Sequence, residues 1–127
     1  MRHLPPLLLL LVCSCSVSIS APQAASGPDT LRKIQELIGP ASCSEQSQCK
    51  TLMLGVKACG GPERYLAWST AHASAEQLAP LALRLKAERQ AQLAASGELS
   101  DCRAMTDPGA LCLAGRCVLG TGAFDPR

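Results

Sequence analysis

The sequence predicts an α+β domain with two helices and a two- or three-stranded antiparallel sheet, braced by disulfides. Three observations carry this prediction. Six cysteines are spread through residues 43–117, an alternating apolar stretch runs through residues 49–58, and helical periodicity appears after Pro28 and again through residues 74–95. Alternation with period two marks a half-buried strand, whereas recurrence at three and four residues marks an amphipathic helix.

The chain has 127 residues, which allows one domain. Its 47% hydrophobic content overstates the core, because much of it is alanine or the leucine run near the start. Tyr65, Trp68 and Phe124 are the only aromatic residues, so the side chains that bury most area are scarce. Covalent bracing is expected to supply what the core lacks.

The chain opens on Met1-Arg2-His3, continues with LPPLLLLLV and then turns to small and polar residues. These are the three parts of a secretory signal, and the apolar run is far short of the roughly 20 residues that span a membrane. Residues 1–15 are read as the signal peptide, with ordinary cleavage as late as residue 21 as the alternative. Val12-Cys13-Ser14-Cys15 resembles a lipobox, with Ser14 as the small residue before the cysteine that receives lipid. Cys15 is therefore the lipidation candidate, although Cys13 is an unusual occupant of its position. Residues 16–27, rich in Ser, Ala, Pro and Gly, read as a flexible linker. The folded domain is assigned to residues 28–120 and a disordered tail to residues 121–127.

Within the domain, Asp29 or Thr30 can cap a first helix whose apolar face carries Leu31, Ile34, Leu37 and Ile38, and Gly39-Pro40 stops it. A polar loop with Cys43 follows. Residues 49–58 then place Leu52, Leu54, Val56 and Ala58 on one face of a strand, with Thr51, Met53 and Lys57 on the other. Cys59-Gly60-Gly61-Pro62 is a corner, Glu63-Arg64 reads as solvated surface, and residues 65–69 read as extended with Tyr65 and Trp68 as core anchors.

The second helix starts at a capping box, Ser74 with Gln77, and Gly97 ends it. Leu78, Leu81, Ala82, Leu85 and Leu93 share one stripe, with Glu76, Arg84, Lys86 and Gln90 elsewhere. Pro80 is expected to kink the first turns or to delay the start. After a Thr106-Asp107-Pro108-Gly109 turn, Cys112 and Cys117 flank four residues and fit a hairpin that adds to the Cys49 strand.

Cys43, Cys49, Cys59, Cys102, Cys112 and Cys117 predict three disulfides in an exported domain. The gaps of five, nine, forty-two, nine and four residues contain no Cys-x-x-Cys pair, which removes the zinc half-site and the thioredoxin-type redox pair. A continuous strand of ten steps would hold Cys49 and Cys59 roughly 33 Å apart. They are then unable to pair with each other, and the bridges should tie the strand to both ends of the domain. The remaining pairings stay open.

The segments CSEQSQCKTLMLGVKACGGPERYLAWS and SDCRAMTDPGALCLAGRCVL, separated by a helix, resemble uncharacterised small bacterial exported cysteine-rich proteins of the lipoprotein-like kind. That group carries a Cys-Gly-Gly-Pro turn followed by Tyr-Leu-Ala-aromatic-Ser. The resemblance covers roughly residues 41–119 and implies a location and a disulfide framework, with no catalytic residue.

Function classes can be narrowed accordingly. His72 is the only histidine outside the leader, and no nucleophile-elbow motif accompanies it or Asp101; no catalytic residue is assigned. With the cysteines committed to bridges, no metal ligand set and no cofactor is expected. Loss of Arg2 with the leader leaves eleven basic against ten acidic residues, too balanced for nucleic-acid binding. The preferred expectation is a non-enzymatic, monomeric interaction module of the bacterial cell envelope. It would be lipid-tethered and recognise a protein or envelope component. The alternative is a secreted protease inhibitor that presents a basic loop, at residues 102–105 or 63–65.

Overall fold

The computed structural model describes residues 27–121; the signal peptide, Cys15, all of the linker except Gly27 and all of the tail except Thr121 lie outside them. Helix α1 (Gly27–Ile38) is followed by a short 3-10 turn, strand β1 (Cys49–Leu54), strand β2 (Arg64–Ser69), helix α2 (Ala75–Ser96), and strands β3 (Ala110–Leu113) and β4 (Arg116–Leu119). The fold is α+β, with two helices and three disulfides as the sequence predicts. The four strands form two separate antiparallel pairs, β1–β2 and β3–β4, in place of one sheet.

Helix α1 buries Thr30, Ile34 and Ile38. Leu37 is the exception to the predicted face, being 36% exposed. Thr30 lies inside the helix, and its hydroxyl donates to Glu88 Oε1 of α2 at 3.0 Å. The helix ends at Gly39, whose N–H reaches Gln35 O.

Strand β1 is shorter than the alternation suggests. It stops at Leu54 because Gly55 takes φ +69 and turns the chain. Val56 stays buried beyond the strand while Ala58 is exposed, which corrects the ten-residue strand. The register pairs Leu52 with Leu66 and Lys50 with Trp68. Leu54 and Trp68 on that face join Ile34, Ile38 and Leu78 in the core. The other face carries Cys49 and Thr51 and then Met53, which is exposed. Tyr65 and Trp68 are both buried, and Trp68 Nε1 donates to Thr51 O at 3.3 Å.

Helix α2 begins where local chemistry dictates. Ser74 Oγ accepts from Gln77 N–H and the Gln77 side chain accepts from Ser74 N–H, so the capping box is complete. Pro80 sits inside the helix on its exposed side, neither delaying the start nor contacting the core. Only Leu78 is fully buried, with Leu81, Ala82 and Leu85 packed against the core from its edge. Gly97, in the left-handed region, closes the helix by donating to Leu93 O.

The hairpin β3–β4 turns on Ala114 and Gly115, both with positive φ, as a two-residue type I′ turn requires. It joins the rest of the domain through backbone bonds from Cys43 N to Gly115 O and from Cys117 N to Ala41 O. The Gln46 side chain lies along β3, donating to Ala110 O at 2.7 Å and accepting from Cys112 N at 2.9 Å.

Candidate binding surface

The six domain cysteines form three disulfides: Cys43–Cys112, Cys49–Cys117 and Cys59–Cys102. Cys49 and Cys59 are not bonded to each other. Two bridges fasten the β1 end of the domain to the C-terminal hairpin, and the third fastens the Gly-Gly corner to the loop after α2. Cys112 and Cys117 are register partners in β3–β4, yet each is bonded elsewhere. The sulfur atoms of Cys43, Cys49 and Cys117 lie within 4.8 Å of one another. That proximity follows from two bridges lying side by side.

Away from the paired bridges, a groove of about 780 Å³ opens between α1, α2 and the β1–β2 end. This is in the size range of small-ligand clefts. Leu31, Leu54 and Leu85 supply its apolar lining, while Glu63, Arg64 and Arg89 stand among its polar residues. Arg89 is held on two sides: Nη2 donates to Glu98 Oε1 at 2.6 Å and Nε donates to Glu63 Oε1 at 2.5 Å. These carboxylates, Glu98 first and Glu63 second, raise the pKa of the Arg89 guanidinium. Glu63 is thus half-buried and paired, which corrects its reading as solvated surface. Its partner is 26 residues away in sequence, and no local signal links them.

Glu88, also in the groove, accepts from Thr30 Oγ1 and from Arg84 Nε, at 3.0 and 2.8 Å. Its second oxygen is buried without a hydrogen-bond partner among the described residues. A β-carbon placed on Gly27 would come within 3.9 Å of that oxygen, so the carboxylate sits beside the first turn of α1, where the helix dipole favours negative charge.

The two basic loops differ. Arg64 belongs to β2, and its backbone is committed to the register opposite Leu54. Arg103 projects with 77% of its side chain exposed. Its N–H donates to Asp101 Oδ1 at 3.0 Å, and its carbonyl accepts from Lys57 Nζ at 2.8 Å. The Arg103 N–H, foremost, and the Lys57 charge hold the Asp101 carboxyl below the usual carboxylate range. Cys102 beside it takes φ +55, and its bridge to Cys59 fixes the loop.

No family model matches this chain, and comparison with curated proteins and with solved structures finds no match either. His72 lies exposed in the turn after β2, where its N–H donates to Ser69 O. No helix among the described residues is long and apolar enough to cross a membrane. Three disulfides in so small a domain fit an oxidising, extracytoplasmic compartment.

Proposed function

We propose that this chain is a non-enzymatic binding module of the bacterial cell envelope, tethered by lipid at Cys15 and recognising a protein or envelope component. The observation that carries the reading is the set of three bridges. They fasten the start of β1 to the C-terminal hairpin and the corner beyond β1 to the loop after α2, giving a braced scaffold whose ordering cost on binding is reduced. The groove lined by Leu31, Leu54 and Leu85 gives that scaffold a recognition surface with charged residues beside it. The lipobox-like Val12-Cys13-Ser14-Cys15 supplies the tether. Acyl chains contribute about 0.8 kcal/mol per buried methylene to membrane attachment.

Intact mass of the protein isolated from its own envelope tests this reading. The expected species starts at Cys15, carries acyl mass and releases six further thiols only on reduction. A species that starts near Ala21 without lipid would remove the tether.

A second reading, the secreted protease inhibitor, is favoured by one feature, the exposed Arg103 on a disulfide-braced loop. Against it stands the Arg103 carbonyl, already engaged by Lys57, which a protease would need to polarise. Incubation with trypsin separates the two. Stoichiometric, reversible loss of trypsin activity would favour the inhibitor, and unchanged activity is expected.

A further inference from the structure

Two disulfides that lie side by side create a chemical possibility that separate bridges lack. Thiolate attack on a disulfide sulfur releases the other sulfur as a thiolate. At Cys43–Cys112 the released Cys43 sulfur would stand within 4.8 Å of the sulfurs of both Cys49 and Cys117. It then has a second disulfide as an intramolecular target.

Exposure sets the order of events. Cys43 and Cys112 are half-buried, whereas Cys49 and Cys117 are each 7% exposed. An external thiol reaches the first bridge, and the second is reached from within.

The hairpin is built to receive the alternative bond. Its two-residue turn makes Leu113 and Arg116 the hydrogen-bonded pair, so Cys112 and Cys117 form the next, non-hydrogen-bonded pair. The outward bonds agree, because Cys112 N–H donates to Gln46 and Cys117 N–H donates to Ala41. In such a pair the α-carbons approach to about 4.5 Å, within the span a disulfide bridges.

We propose that Cys43, Cys49, Cys112 and Cys117 form a thiol–disulfide exchange site with two pairings, opened by a monothiol of the glutathione class. The incoming thiolate attacks Cys112 Sγ, forming a mixed disulfide and releasing the Cys43 thiolate. Cys43 attacks Cys49 Sγ, forming Cys43–Cys49 and releasing the Cys117 thiolate. Cys117 then attacks the mixed disulfide at Cys112, forming Cys112–Cys117 and returning the external thiolate. No net oxidation or reduction occurs, and the thiol acts as a catalyst. The product keeps three disulfides, but the hairpin is no longer covalently joined to β1.

Peptide mapping of the oxidised protein purified from its own envelope tests this directly. The protein is exposed to reduced glutathione under native conditions, quenched with acid, treated with N-ethylmaleimide and digested with trypsin. Cleavage after Lys50, Arg103 and Arg116 puts Cys43 and Cys49 on one peptide, residues 34–50, with Cys112 on residues 104–116 and Cys117 on residues 117–127. The starting pairing joins all three peptides in one species. The exchanged pairing leaves residues 34–50 with an internal bridge and joins only 104–116 to 117–127. Loss of the three-peptide species with matching gain of these two products, and no maleimide on the four cysteines, is the expected result. Persistence of the three-peptide species under conditions that open Cys59–Cys102 would overturn the proposal. Scrambling of Cys59 or Cys102 into the cluster would also overturn it, since that marks exchange through the unfolded chain.

Discussion

Gly55 and Glu63 compete for one space: the β-carbon that Gly55 lacks would fall on the Glu63 carboxylate, the same carboxylate that holds Arg89. Gly55 also takes φ +69, a conformation that penalises any other residue. The end of β1, the entry to β2 and the middle of α2 are therefore coupled through one glycine.

Gly55→Ala is expected to cost about 1–3 kcal/mol, combining backbone strain with displacement of Glu63. Denaturant unfolding of Gly55→Ala, Glu63→Ala and the double variant separates the two parts. With Glu63 shortened the steric part should vanish, so the double variant should lose less than the sum of the singles. Simple additivity would show that the carboxylate does not obstruct the site.

The paired bridges predict losses that nearly add. Cys43–Cys112 and Cys49–Cys117 span 69 and 68 residues, nearly the same loop. Once one is in place, the other closes only about a dozen further residues. Chain-entropy arithmetic then gives about 3 kcal/mol for removing either bridge and about 6 for removing both, because Cys59–Cys102 shortens the remaining loop to about 28 residues. Cys43→Ala with Cys112→Ala, Cys49→Ala with Cys117→Ala, and the four-fold variant provide the comparison. Trp68, the only tryptophan and 6% exposed, reports unfolding by its fluorescence. Loss of the four-fold variant's stability equal to either pair alone would refute the loop argument.

The β3–β4 turn is open to improvement. Ala114 carries φ +49 at a position where type I′ turns prefer Asn or Gly. Ala114→Asn, which creates an Asn-Gly turn, should raise stability by about 0.5–1 kcal/mol. A raised denaturation midpoint at unchanged slope is the expected reading, and a lowered midpoint would mean that the turn is not of this type.

Asp101 predicts a pH effect confined to acid. The Arg103 N–H, then the charges of Lys57 and Arg103, favour its ionised form in the folded loop. A carboxylate whose folded pKa is lowered stabilises above its unfolded titration range, and that contribution is lost as pH falls through the folded value. The Arg103 amide proton, which donates to this carboxylate, should therefore keep its chemical shift through neutral pH. It should move only below the ordinary aspartate range. A midpoint at or above that range would contradict the hydrogen bond.

The elements legible in the sequence are those whose cause is local. The Ser74–Gln77 capping box starts α2 at Ala75, and the two residues between Leu113 and Arg116 make the hairpin. What escaped the sequence depends on distant partners. The strand through residues 49–58 ends at Leu54 because Gly55 makes way for Glu63, and Glu63 is held by a residue 26 positions on. The hairpin stays apart from β1–β2 because its outward backbone bonds go to Ala41 and Cys43 ahead of β1, while Gln46 reaches Ala110 across 64 positions and Cys49–Cys117 ties β4 to β1. Alternation cannot distinguish a strand that joins a sheet from one that only lies beside it.

Gln46 has a consequence for behaviour in crowded surroundings. Its carboxamide meets Ala110 O and Cys112 N as a neighbouring strand would, so two backbone groups on the outer rim of β3 are already engaged. An unpaired rim of that kind invites intermolecular strand addition, and Leu111 and Leu113 on the same strand are exposed and would make such growth favourable. One neutral side chain thus occupies two of the backbone groups that such an added strand would use.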